Sequence, residues 1–253
     1  MSAIHRPAGI DWLAGAADAV NITELALPGT HDTMTASCGL EYYKTQDLSL
    51  EEQWAIGVRF LDLRITRELL AAHREWTSTI AFGQIIDTLR EFLRAQPSEF
   101  VIVRLQNANE RKDDYDRYAA AIRTVLSANR DLFLPLPAND SAAWPNLGQA
   151  RGKLLGLECS PTELGLTTVD GQSWAANWHD NPAVLVQDEW NGPPLELKQD
   201  AIGQLVLAPP PAATRGTLNI NHISATNGDL GTPLAYAERL NPFALDLMRQ
   251  AAE

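Results

Sequence analysis

Two cysteines in 253 residues, Cys38 and Cys159, are too few to staple a fold, so a buried core rather than a disulfide framework must hold this chain. Whether the two thiols meet cannot be read from their spacing. Long apolar runs are also missing. No stretch approaches the roughly eighteen uninterrupted apolar residues of a membrane-spanning helix. The opening MSAIHRPAGIDWLAGAADAV lacks the basic and then continuously apolar segments of a secretory leader. The expectation is therefore a soluble chain with no transmembrane segment, either cytoplasmic or secreted by a leaderless route or as a mature form. Basic residues are in deficit, 20 Lys and Arg against 32 Asp and Glu, for a formal charge of −12. Such a surface repels polyanions and excludes nucleic acid as a partner. Internal repeats, low-complexity tracts and blocks of like charge are absent as well.

What is present is 45% hydrophobic content, enough for one substantial core, and the expectation is a single domain over 1–253. Apolar, β-branched or alternating runs predict strands at 22–28, 57–66, 68–73, 99–106, 153–159, 183–190 and 217–224. Between them lie helical patterns. Phe82, Ile85, Ile86, Leu89, Phe92 and Leu93 share one face ahead of Pro97, and Tyr115, Tyr118, Ile122, Val125 and Leu126 share another. Further helices are predicted over 195–207 and 234–251, and Pro-rich loops over 134–146 and 208–216. Strands alternating with helices in one domain of this length predict an α/β fold, a mostly parallel sheet closing into a barrel.

In such a barrel the chemistry gathers at the C-terminal ends of the strands. His31 and Asp32 follow the first strand and its Pro-Gly turn, Arg64 lies near the end of the second, and His73 closes the third. A lone histidine is more often a surface or core residue, and a lone strand arginine usually forms an ion pair. The agreement of four such positions is what points to a site. In LNINHIS (218–224) Asn221 and His222 point to opposite faces, so at most one enters the mouth. Both are placed outside the catalytic set, and His5 and His179 are expected at the surface.

LALPGTHDTM (25–34), GVRFLDLR (57–64) and AFGQIIDTLREFLRAQPSEFVIVRLQ (81–106), continued by RGKLLGLE, VLVQDEW, LNINHIS and AERLNPFA, resemble the X domain of phosphatidylinositol-specific phospholipase C, especially its bacterial single-domain form. The likeness runs in unbroken order over roughly residues 20 to 245. It implies a distorted TIM-type (β/α) barrel and a phosphodiester-cleaving site. Neutral His31 would take the proton from an inositol hydroxyl beside the phosphodiester, and that oxygen would attack phosphorus. Protonated His73 would donate to the departing diacylglycerol oxygen. Arg64 would stabilise the phosphate, with Asp32 holding Arg64. The products would be a cyclic inositol phosphate and diacylglycerol. In calcium-dependent relatives an acidic residue occupies the place of Arg64, so the resemblance implies a metal-independent site with no cofactor.

Departures from the family carry further expectations. Gln106, or Asn107 beside it, stands where bacterial members place a Lys toward the inositol, and Glu158 stands where they place an Arg. Asp188 matches the inositol-binding Asp, and Trp190 takes the place of a neighbouring Tyr. Gln106, Asp188 and Trp190 are the substrate-binding candidates. The last strand, carrying the Asp that orients the base, is missing after AERLNPFALDLMRQAAE. The barrel is therefore expected to be incomplete at the C-terminus, with Asp62 or Asp229 as substitute partners for His31. An open edge suggests a homodimer or a shortened chain. Met34, Leu40, Tyr42, Tyr43, Trp174 and Trp178 are rim residues suited to transient contact with a membrane surface. Two alternatives stay open: a related barrel phosphodiesterase for another headgroup, and a non-catalytic lipid- or phosphate-binding protein.

Overall fold

The runs VIVRLQN and LLGLE are almost wholly buried on both faces, the pattern of strands covered from two sides rather than one. In the computed structural model, which describes residues 11–108, 115–136, 144–160, 168–207 and 216–251, they lie centrally in the main sheet. The elements in chain order are β1 (Gly29–Thr30), α1 (Leu50–Ala55), β2 (Phe60–Ile65), β3 (Leu70–His73), β4 (Trp76–Ala81), α2 (Phe82–Ala95), β5 (Val101–Asn107) and α3 (Tyr115–Ala128). They continue as α4 (Leu147–Ala150), β6 (Leu154–Glu158), β7 (Thr168–Val169), β8 (Gln172–Ser173), β9 (Ala175–Asn177), β10 (Val184–Gln187), α5 (Leu195–Leu207), β11 (Leu218–Asn221) and α6 (Pro233–Ala251).

Strands β1, β2, β5, β6 and β9 are parallel neighbours in that order, and β10 pairs in parallel with β11. This is the expected distorted TIM-type barrel, and its ladder is open. Among the described residues no strand pairing joins β9 to β10 or β11 to β1. The register places Asp62, Arg104 and Leu157 side by side on the inner face, and Leu63, Leu105 and Glu158 on the outer one. Inside, Phe100, Ile102, Leu155, Leu157, Leu218 and Ile220 fill the barrel. Outside, Leu63, Val103 and Leu105 meet Ile85, Ile86 and Leu89 of α2 and Tyr118 and Ile122 of α3. Each such side chain contributes about 1.5–3 kcal/mol on burial. The end opposite the mouth is plugged by the buried pair Arg59–Glu99, Nε to Oε2 2.9 Å, with the guanidinium 3.6 Å from the Trp54 ring centroid.

Several elements differ from expectation, among them β4, which the sequence pattern did not mark as a strand. Over 22–28 the chain forms a 3-10 turn at Ile22–Glu24, because Asn21 caps it and Glu24 reaches back in a capping box; only Gly29–Thr30 remains as strand. The third expected strand is antiparallel to its neighbours: β3 pairs with both β2 and β4. His73 thus reaches the mouth from a ribbon folded beside it, not from the end of a parallel strand. Strand β9 has three residues, too few to show a period. Cys38 and Cys159 form no disulfide. No described helix is long and apolar enough to cross a membrane. The Pro-rich stretches at 134–146 and 208–216 lie largely outside the described residues.

Candidate active site at the barrel mouth

After β1 the chain turns sharply, and Asp32 takes a φ of 45°, a left-handed conformation that Asp tolerates better than most residues. Its amide donates to Asp62 Oδ2 at 3.1 Å and its carbonyl accepts from Thr35 Oγ1 at 3.0 Å. The carbonyl of His31 accepts from Thr45 Oγ1 at 2.9 Å and Gln46 Nε2 at 2.7 Å. Thr33 stitches the turn to β2, its amide donating to Asp62 O at 3.0 Å while its hydroxyl accepts from the Asp62 amide at 2.8 Å. The backbone under His31 and Asp32 is therefore held from both sides.

The side chains converge on two buried carboxylates. Asp32 Oδ2 lies 3.1 Å from His31 Nε2 and 3.2 Å from His73 Nε2, so one oxygen sits between both imidazoles. Asp32 Oδ1 is paired with Arg64 Nε. Asp62 Oδ2 lies 3.2 Å from His31 Nδ1 and 3.7 Å from Arg64 Nη2, and Asp62 Oδ1 accepts from Arg104 Nη1. Arg104 also reaches Cys159 Sγ at 3.1 Å and stacks 4.4 Å from the Trp178 ring centroid. His73 Nδ1 is 2.8 Å from the Tyr43 carbonyl. Two guanidiniums and two carboxylates cancel, so any proton on an imidazole leaves a positive site suited to a phosphodiester anion.

Burial alone would raise the Asp62 carboxyl, but Arg104 and Arg64 hold it well below the usual carboxylate range. Burial likewise disfavours the His31 cation, and Asp32 and Asp62 more than reverse this, raising its pKa above the ordinary value. At His73 burial, aided by Arg64, outweighs Asp32, and the pKa is lowered. In the free site His31 is thus the more basic ring.

His31, Asp32, Arg64 and His73 are brought together as expected, and Asp62, not the exposed Asp229, is the acid that reaches His31. Gln106 lies beside Arg64 in register, its buried Oε1 without a hydrogen bond, whereas Asn107 belongs to the outer face with its register partner Ile65. Asp188 follows β10 directly and lies 3.9 Å from His222 Nδ1. Trp190 is 39% exposed, and its carbonyl accepts from the Thr226 amide at 2.9 Å. Among the described residues no hydrogen bond or ring contact ties its indole to the imidazoles.

Glu158 does not occupy the mouth. It is buried on the outer face, where burial raises its pKa to about 7, and the residue turned inward at that strand end is Cys159. Trp174 and Trp178 are buried in the outer and inner cores, and Met34 packs against the outer core. Of the expected rim residues Leu40, at 49%, and Tyr42, at 64%, are openly exposed. Arg104 was missed by the sequence reading, Trp178 was expected at the rim and lies in the inner core, and His222, left outside the catalytic set, is the residue of its pair that enters the mouth. The alternation that puts Asp62 with Arg64 also puts Arg104 with Gln106, and that signal could have found Arg104.

His31, Asp32 and Asp62 offer ligand atoms within 4.8 Å of one another. Arg64 and Arg104 already neutralise those carboxylates, so the donor set fits an anion better than a divalent ion.

The family model of the phosphatidylinositol-specific phospholipase C X domain matches residues 28–157. The chain is 29% identical over 237 residues to a 1-phosphatidylinositol phosphodiesterase of Listeria monocytogenes, covering 91% of this chain and 72% of that protein. It is 26% identical over 174 residues to the human PI-PLC X domain-containing protein 1, covering 53% of each. The solved phosphatidylinositol-specific phospholipase C of Listeria monocytogenes superposes with a TM-score of 0.80 at 26% identity, covering 95% of this chain and 89% of that one. A double mutant of the Staphylococcus aureus enzyme superposes at 0.76 and 20% identity, covering 95% and 86%, a likeness of fold.

Proposed function

The chain belongs to the phosphatidylinositol-specific phospholipase C X-domain family, and on that premise we propose that it is a phosphatidylinositol diacylglycerol-lyase, cleaving the phosphodiester of an inositol lipid by paired imidazoles. His31 takes the proton of the inositol hydroxyl next to phosphorus. The freed oxygen attacks, the bond to the diacylglycerol oxygen breaks, and His73 supplies the proton that this oxygen needs. Because the nucleophile is part of the substrate, the protein's main task is to hold the ring and the phosphate in line. Arg64 meets the growing phosphoryl charge while Asp32 holds Arg64. Asp62 orients His31, the task for which the family uses a carboxylate on its last strand.

One observation carries this reading: a single oxygen of Asp32 lies between both imidazoles while its partner oxygen holds Arg64. The pKa shifts of the free site oppose the working protonation states, since the base is raised and the acid lowered. A bound phosphodiester resolves the conflict on the acid side, because its negative charge beside His73 favours the imidazolium. Gln106 and Asp188 face the headgroup as hydrogen-bonding groups and Trp190 offers a stacking surface. Leu40 and Tyr42 make the transient contact with the lipid surface, and the interrupted ladder supports a homodimer through an added strand. Phosphorus NMR of a reaction with phosphatidylinositol tests the proposal: a cyclic phosphate resonance is expected, and a first product that is acyclic would sink it.

A neutral Gln106 and Cys159 in place of two basic groups favour, as a second reading, a related barrel phosphodiesterase acting on another cyclisable headgroup. A panel of lipids scored by the same resonance separates these from a protein that binds without cleaving.

A further inference from the structure

The register of β10 and β11 pairs Val184 with Leu218 and Val186 with Ile220 inside the barrel, and the next residues on that face are Asp188 and His222. Their neighbours turn outward. Lys198 Nζ donates to Gln187 Oε1 at 3.1 Å and Asn221 Nδ2 donates to the Ile202 carbonyl at 3.0 Å, anchoring the strand ends to α5. The His222 amide donates to the Gln187 carbonyl at 2.9 Å, and Gln187 Nε2 donates to the His222 carbonyl at 2.9 Å. Beyond the strands Gly192 and Gly228, at φ of 65° and 58°, approach so closely that a Cβ on Gly228 would lie 2.8 Å from Gly192 Cα. Only glycine allows that contact, and it clamps the two loops that follow Asp188 and His222.

The imidazole of His222 is thereby fixed in the mouth. It meets the His31 ring edge to face at 5.8 Å and the Trp178 ring at 5.7 Å. Its Nδ1 looks toward Asp188 Oδ1 at 3.9 Å, and its Nε2 is buried with no hydrogen-bond partner. A buried polar nitrogen left unpaired is a cost that a ligand can relieve. Burial pushes the His222 pKa down to about 4, with Asp188 opposing and His31 and Arg104 assisting, so the ring stays neutral where the enzyme works. A neutral ring with its proton toward Asp188 presents a lone pair at Nε2. That lone pair repels a phosphate oxygen and attracts a hydroxyl proton.

We propose that His222 Nε2 accepts a hydrogen bond from a ring hydroxyl of the polyol headgroup, with Asp188 behind it selecting the tautomer. This rests on the function proposed above and makes His222 a specificity-determining residue, distinct from the two imidazoles that move protons.

The test compares the wild type with His222→Asn and His222→Gln on short-chain phosphatidylinositol and on analogues each lacking one hydroxyl other than the attacking one. The Gln amide reaches the place of Nε2, and the Asn amide only that of Nδ1. Loss of one particular hydroxyl is expected to lower wild-type kcat/KM roughly 10- to 100-fold. The same loss should be silent in His222→Asn and partly felt in His222→Gln. A wild-type sensitivity to that hydroxyl kept undiminished in His222→Asn overturns the proposal. Titration of the wild type with myo-inositol, followed by 15N NMR of the histidine rings, decides independently of turnover and of whether the variants fold. Movement of the His222 Nε2 resonance supports the subsite even if phosphatidylinositol is not cleaved, and its invariance rejects it.

Discussion

Asp62 Oδ2 lies 3.2 Å from His31 Nδ1, while the other oxygen of the same carboxylate accepts from Arg104. One side chain on β2 thus fixes the ring expected to act as base and is itself fixed by a guanidinium on β5. Asp62→Asn is expected to lower kcat roughly 10²–10⁴-fold with a smaller change in KM, because the His31 tautomer and orientation are lost. It also leaves Arg104 buried without its counter-charge, a destabilisation of about 3–5 kcal/mol. Steady-state kinetics and urea unfolding of the same sample separate the two effects.

The pH dependence follows from the two histidine shifts. In the proposed mechanism His31 must be neutral and its pKa is raised, while His73 must be protonated and its pKa is lowered, so the working form is the minor one of the two singly protonated states of the free site. The profile of kcat/KM, which reports the free enzyme, is expected to be a bell of reduced height, its acidic limb following His73 and its alkaline limb His31, with both limbs belonging to the coupled pair. In the profile of kcat the acidic limb should lie higher, since bound phosphate favours the His73 cation. Equal acidic limbs in both profiles would contradict this.

Glu158 gives a stability prediction without catalysis. Its carboxyl is raised from 4.5 to about 7, chiefly by burial. A raised folded-state pKa means that the proton is held more tightly in the fold. The contribution is therefore full below the unfolded pKa and lost as pH rises through about 7. Glu158→Gln should match the wild type near pH 4 and exceed it by about 3 kcal/mol near pH 8. Chemical denaturation at the two pH values measures the difference, and equal gains at both would remove the assignment.

The buried pair Arg59–Glu99 lies at the far end of the barrel, where Glu99 Oε1 also accepts from the Leu13 amide at 3.1 Å. Glu99→Ala is expected to destabilise the protein by about 3–5 kcal/mol while leaving kcat per folded molecule unchanged. A thermal melt with active-site titration checks both halves.

Chelation is expected to leave activity unaltered, because Arg64 and Arg104 occupy the carboxylates that a divalent ion would need. Assays in chelator, with and without added calcium, decide the point; loss in the first and recovery in the second would refute it.

Local physics is legible in a linear chain. The alternation of FLDLRI and the helical stripe Phe82, Ile85, Ile86, Leu89 placed β2 and α2 correctly, because side-chain direction repeats every two or 3.6 residues whatever the rest of the chain does. The turn after β1 and the face shared by Asp62 and Arg64 were readable for the same reason, and with them four groups of the site. The opposite faces of Asn221 and His222 were read correctly too, but not which of them enters the mouth.

Pairing between distant segments decided everything else. Reading Glu158 rather than Cys159 as the inward residue is an offset of one position, and with a period of two a single step exchanges the faces. Only the register of β6 on β5 sets that step. The same dependence brought Arg104 onto Asp62, delivered His73 from an antiparallel ribbon and turned His222 toward His31. Sequence by itself thus determined most of the helices and strands and the identities of the side chains proposed to react, which are written in short stretches of chain. Tertiary structure alone decided their neighbours, because contacts between strands far apart in sequence leave no local period to read.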